Sequence, residues 1–118
     1  MPITYVFAGI ATGNYAAALP WYERLFGRPP DMVPQDEEAA WQFTDTGWIC
    51  LVGDADRAGK ALLTLLVDNV DEQVAALAER GLVPDEMETL SNAGRKAAFV
   101  DPEGNKIPFA QPGSAAEG

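Results

Sequence analysis

The sequence predicts an α+β domain built from two tandem βαβββ modules that form curved mixed sheets. Three observations carry this reading. A strand-helix-strand-strand-strand pattern runs through residues 1–52 and restarts at residue 61; apolar positions recur with helical spacing once in each half; and clusters of turn-forming residues divide the remainder into strand-length pieces.

The first strand is read at Ile3 to Ile10, where Tyr5, Phe7 and Gly9 share one face and Val6, Ala8 and Ile10 the other. Thr12-Gly13-Asn14 supplies turn and N-cap chemistry, and Tyr15, Ala18, Leu19, Tyr22, Leu25 and Phe26 then recur at helical spacing as far as Gly27. Pro20 lies inside this helix, where its missing N–H and its ring predict a kink and not a break. Strands follow at Asp31 to Pro34, Ala39 to Thr44 and Trp48 to Val52, separated by Gln35-Asp36-Glu37 and Asp45-Thr46-Gly47.

Residues 53–60, GDADRAGK, are polar and aperiodic and read as the linker between modules. Ala61 to Val67 is apolar on both faces and suits a central strand. Asp68-Asn69 cap a second helix with Val70, Val74, Leu77 and Ala78 along one stripe, ending at Gly81. Leu82 to Glu88, Arg95 to Val100 and Asn105 to Ala110 are the remaining strands, with turns at Ser91 to Gly94 and Asp101 to Gly104. The domain therefore spans residues 1–111, and 112–118 form a flexible tail. Each half is too small to close a core alone, so it must pair with another, and the linker permits pairing within one chain or between two.

A length of 118 residues allows one domain. Eight Lys plus Arg against eighteen Asp plus Glu give a formal charge of -10, which repels phosphate backbones and anionic lipid and excludes nucleic acid and membrane as partners. No apolar run approaches the ~20 residues that cross a bilayer, and no secretory n-region is present, so the expected location is the cytoplasm. Cys50 is the one cysteine and histidine is absent, which removes the usual zinc spacings.

Two motifs carry a family resemblance: NYAAALPWYERLFG at Asn14 to Gly27, and GRKAAFVDPEGNKIPF at Gly94 to Phe109, where a strand runs into Asp101-Pro102-Glu103-Gly104-Asn105 and a last strand. With the order of elements, they resemble the glyoxalase/bleomycin-resistance/dioxygenase (vicinal oxygen chelate) superfamily over residues 1–111. The resemblance implies sheets curved around a concave pocket. Metal-dependent members of that superfamily hold a divalent ion there with His and Glu ligands. The matching positions in this chain are Phe7, Cys50, Leu62 and Pro108, and one thiol cannot hold a catalytic metal. No metal, no cofactor and no catalytic residue is therefore expected.

If those four residues face the concavity, alternation places Tyr5, Trp48, Val52, Thr64 and Ala110 beside them, and Trp41 and Phe43 extend the wall from the neighbouring strand. The candidate pocket is thus Tyr5, Phe7, Trp41, Phe43, Trp48, Cys50, Leu62, Thr64 and Pro108. Metal-free relatives of the bleomycin-resistance type are acidic homodimers that sequester a drug. By resemblance, this chain is expected to bind a small aromatic or cationic antibiotic or metabolite as a homodimer and so to confer antibiotic resistance. Two alternatives stay open: a metal-independent lyase or isomerase, and a non-catalytic accessory module.

Overall fold

The computed structural model describes residues 2–90 and 94–113. Most of the turn expected at Ser91 to Gly94 and of the tail expected from residue 112 lies outside the described residues. In the first module, β1 (Val6–Thr12), β2 (Met32–Gln35), β3 (Glu38–Gln42) and β4 (Gly47–Gly53) accompany helix α1 (Tyr15–Phe26). The second contributes β5 (Leu65–Leu66), α2 (Val70–Glu79), β6 (Glu86–Thr89), β7 (Arg95–Val100) and β8 (Lys106–Gln111). The sheets are ordered β1-β4-β3-β2 and β5-β8-β7-β6. In each, the first and last strands of the module pair in parallel and the other neighbours antiparallel. The repeat read from the sequence is thus a repeat of topology, and the two mixed sheets with two helices form the α+β architecture expected.

Both helices start and stop where their caps dictate. The Asn14 side chain accepts a hydrogen bond from the Ala17 N–H, and Gly27 ends α1 with φ 77°, a left-handed conformation that a β-carbon would strain. Asn69 caps α2 in the same way through the Glu72 N–H. Helix α1 runs uninterrupted through Pro20, whose ring lies on the exposed side.

Three strands start three or more residues later than the sequence reading. Pairing of β1 begins only at Val6, opposite Gly47, where β4 starts, and continues to Thr12. Of Ala61 to Val67 only Leu65 and Leu66 join a ladder, against Phe109 and Ala110, and they form an edge strand, not a central one. Its two apolar faces have separate fates: Ala61, Leu63, Leu65 and Val67 pack on the core, while Leu62 and Leu66 face solvent. Leu82 belongs to the end of α2, its N–H bonded to the Leu77 carbonyl, so the strand expected there starts at Glu86.

A single apolar core joins the modules, with Ile10, Tyr22, Leu25, Trp41 and Leu51 from the first and Val70, Leu77, Phe99 and Ile107 from the second. The polar seam is the β7–β8 turn. Both oxygens of the buried Asp101 carboxylate are used: Oδ2 accepts from the Tyr22 hydroxyl at 2.6 Å and Asn105 Nδ2 at 2.8 Å, and Oδ1 from the Glu103 and Asn105 N–H groups at 2.9 and 2.8 Å. The Asn105 side chain also donates to the Ala11 carbonyl at 3.0 Å and accepts from the Ala61 N–H at 2.9 Å. One turn therefore ties α1, β1 and the start of the second module together. Burial and the Asp101 hydrogen bond push the Tyr22 phenol far above its ordinary pKa, so it stays a donor.

Glu103 extends the seam, accepting from the Thr12 hydroxyl at 2.8 Å and from the Gly13 and Asn14 N–H groups, each at 2.7 Å. The Gly13 N–H first, then the Thr12 hydroxyl, hold its carboxyl below the ordinary value. Two outcomes follow. Tyr22→Phe removes one donor to a buried carboxylate and should cost about 2 kcal/mol in urea unfolding. A group with a lowered folded pKa contributes stability above its unfolded pKa and loses it as pH falls through the folded one. Wild type should accordingly exceed Glu103→Gln in stability at pH 7, and the difference should close as pH drops below about 4.5, read by denaturation at several pH values.

Candidate functional site

Strand pairing in the first sheet decides which side chains share the face opposite α1. Ile49 and Leu51 of β4 enter the core, so Trp48, Cys50 and Val52 project to the other side. Their parallel partners on β1 are Phe7, Gly9 and Ala11, and their antiparallel partners on β3 are Gln42, Ala40 and Glu38. The result is a row of small residues, Gly9, Ala11, Ala40 and Cys50, beside an aromatic step; Gly9 and Ala11 remain accessible, whereas Ala40 and Cys50 are covered, at 0% and 5% exposed. Phe7 and Trp48 stack with ring centroids 5.5 Å apart and planes 23° from parallel, and Phe7 remains 50% exposed.

Beyond this row, Gly9, Ile10, Ala11 and Val52 open into a groove of about 440 Å³. Its far wall is the connection between modules, with Asp54, Asp56, Arg57, Lys60, Ala61 and Leu62. Leu62 is 100% exposed at the lip. Asp54 and Arg57 approach to 3.7 Å, a contact open to solvent and of little energetic weight.

The expected pocket residues separate into groups. Phe7, Trp48 and Cys50 come together on the face turned from α1, while Leu62 lines the neighbouring groove with Gly9, Ala11 and Val52. Tyr5 and Thr64 are exposed and lie just before β1 and β5. Pro108 is buried in the second sheet, paired with Ala98. Trp41 requires a correction: Gln42, not Trp41, pairs with Trp48, so Trp41 points to the α1 side, where it is 0% exposed. There its ring meets Phe26 at 5.0 Å and its Nε1 donates to the Arg28 carbonyl at 3.0 Å. Phe43, just past β3, also turns to Phe26, at 4.8 Å, with the Arg28 guanidinium 5.0 Å over its ring.

The corresponding face of the second sheet has different chemistry. Glu86 and Lys106 pair at 2.9 Å and Glu88 and Lys96 at 4.0 Å, above Ala98 and Pro108. From the sequence, Gly9 reads as a strand residue on the Phe7 face and residues 53–60 as a linker; neither is expected to line a site. A glycine interrupting an otherwise regular strand is the signal that could have singled out Gly9.

The sequence pattern of the glyoxalase/bleomycin resistance protein/dioxygenase superfamily matches residues 4–109, almost the whole of this architecture. The chain belongs to that superfamily. Among solved structures, a glyoxalase/bleomycin resistance protein from Catenulispora acidiphila DSM 44928 shares 35% identity, with a TM-score of 0.88 over 93% of this chain and 99% of the other. An antibiotic-binding protein from Streptomyces sp. CB03234 shares 28% identity, with a TM-score of 0.74 over 95% and 98%. A lactoylglutathione lyase from Agrobacterium tumefaciens, 14% identical with a TM-score of 0.71 over 93% and 94%, shares the fold. No curated protein sequence matches.

The metal implied by many members of this superfamily does not suit the donors present. The matching positions offer a phenyl ring, a thiol, an isobutyl group and a pyrrolidine, and the sequence has no imidazole. Among the described residues, no three His, Cys, Asp or Glu side chains are grouped to hold an ion. Among them, too, no helix is long and apolar enough to cross a membrane. Cys50 is 5% exposed, and burial first, then the field of Glu38, pushes its thiol above the ordinary pKa. Iodoacetamide should therefore modify Cys50 at neutral pH far more slowly in the folded protein than in urea, as followed by intact mass.

Proposed function

We propose that this superfamily member is a cytoplasmic small-molecule-binding protein that sequesters an aromatic or cationic antibiotic or metabolite as a homodimer. The observation that carries the reading is the Phe7–Trp48 stack, with Phe7 half-exposed, set beside the accessible small residues Gly9 and Ala11 on the sheet face turned from α1. A flat ring laid on that pair gains aromatic contact and desolvation, and the groove beside Gly9 and Ala11 leaves room for the rest of the molecule. The formal charge of -10 raises the local concentration of cations, and the aromatic faces attract them at short range. The antibiotic-binding function of the Streptomyces relative agrees with this reading.

Dimerisation is favoured by the apolar side chains left uncovered along the edge of the first module. Ile3, Tyr5 and Val6 are all exposed on or just before β1, a run that a second subunit would shield while leaving Phe7 to the cleft. The raised pKa of the Cys50 thiol argues against a nucleophile and so favours retention over turnover.

The test uses 9-aminoacridine, a planar cation, titrated by fluorescence, with native mass spectrometry reporting the subunit count. Wild type should bind as a dimer, and Trp48→Ala should weaken binding by about tenfold, the order expected from losing an aromatic stack and its cation–π contact. Affinity should also fall as ionic strength rises. Equal affinity in Trp48→Ala would sink the proposal.

A further inference from the structure

Gly9 lies in the middle of β1, a position where glycine weakens a strand by about 0.5–1 kcal/mol relative to alanine. Its backbone does not call for glycine, because it is not among the residues with positive φ. Packing does not call for it either, since a β-carbon built there would meet nothing within 4 Å. Nor does a bulge, because the β1–β4 register runs unbroken from Val6 to Thr12, and a further use of glycine inside a strand is to admit the close approach of something from outside it.

The backbone at Gly9 is also unpaired. Strand β1 is the edge of its sheet. The Val6 N–H bonds to the Thr46 carbonyl and the Thr12 carbonyl accepts from the Asp54 N–H, so even-numbered residues of β1 turn their peptide groups toward β4. Odd-numbered residues turn theirs outward, as the Ala11 carbonyl demonstrates by accepting from Asn105 Nδ2. At Gly9 an N–H and a C=O therefore point away from the sheet with no partner among the described residues. The same residue lines the 440 Å³ groove and lies two residues along β1 from Phe7 of the Phe7–Trp48 stack, on the same face.

We propose that the peptide edge of Gly9 is a binding subsite for a small molecule that carries an amide or lactam next to a flat ring. The amide pairs with the Gly9 N–H and C=O as a short added strand, and the ring lies on Phe7 and Trp48. The absent side chain lets the ligand backbone come close. This subsite rests on the reading of the open face as a binding cleft and adds the group that gives it selectivity.

Two probes separate the parts: N-acetyltryptophanamide, an indole with two amides, and 3-methylindole, the ring alone. In ¹H–¹⁵N spectra of the full chain, both should move the Trp48 indole resonance. Only N-acetyltryptophanamide should shift the Gly9 amide and slow its exchange, and it should bind about tenfold more tightly. Gly9→Val should keep a thermal midpoint at or above that of wild type, because valine favours strands and has space here, and should bind both probes with equal affinity. An unmoved Gly9 amide with a moving Trp48 indole overturns the subsite and leaves the cleft. An unmoved Trp48 indole overturns both. A Gly9 amide already protected without probe, together with loss of dimer in Gly9→Val, would instead give this edge to a second copy of the chain.

Discussion

The buried Asp101 carboxylate is the constraint on which the rest of the molecule depends. A charge taken out of water is tolerated only when hydrogen bonds replace its hydration, and four donors do so here: two N–H groups of its own turn, the Asn105 amide and the Tyr22 hydroxyl. Because those donors come from both modules, satisfying one carboxylate fixes the position of one module against the other. Asn105 extends the same network to the β1 backbone and to the chain entering the second module. The Asp-Pro-Glu-Gly-Asn turn thus does more than reverse direction, and its chemistry explains why a polar cluster lies against an otherwise apolar core.

The two modules share a strand order but not a surface. On the first sheet, the face turned from the helix is aromatic and small; on the second, two cross-strand ion pairs cover alanine and proline. Solvated ion pairs contribute little to stability, whereas a half-exposed aromatic stack leaves apolar surface in water. The topology repeats because each module needs a sheet with one buried face. The opposite face is free of that requirement, and there the halves have taken different chemistry.

Much of the architecture was legible because local rules act alone there. Asn14 and Asn69 cap helices, Gly27 ends one, and the turn chemistry of residues 101–105 requires no knowledge of the partner strand. The site was legible only in part, because faces depend on register between strands. Alternation put Trp41 and Phe43 on one face but could not say which face of that strand meets Trp48; pairing of Gln42 with Trp48 sends Trp41 into the core. Ala61 to Val67 misled for a related reason. An edge segment that packs one face on a core and leaves Leu62 and Leu66 in water has the same composition as a strand buried on both sides.

Helix α1 is held at both ends by the other module. Glu103 places a carboxylate against the amides preceding its first turn, and Arg80 donates from its guanidinium to the Arg24 and Leu25 carbonyls in its last. Each charge has the sign that the helix dipole favours at that end. A fragment ending at the first module would keep the sequence of α1 but lose both of its electrostatic end-stops. The repeat is therefore a record of how the chain is arranged and not of how it holds together: in energetic terms the two halves are one cooperative unit.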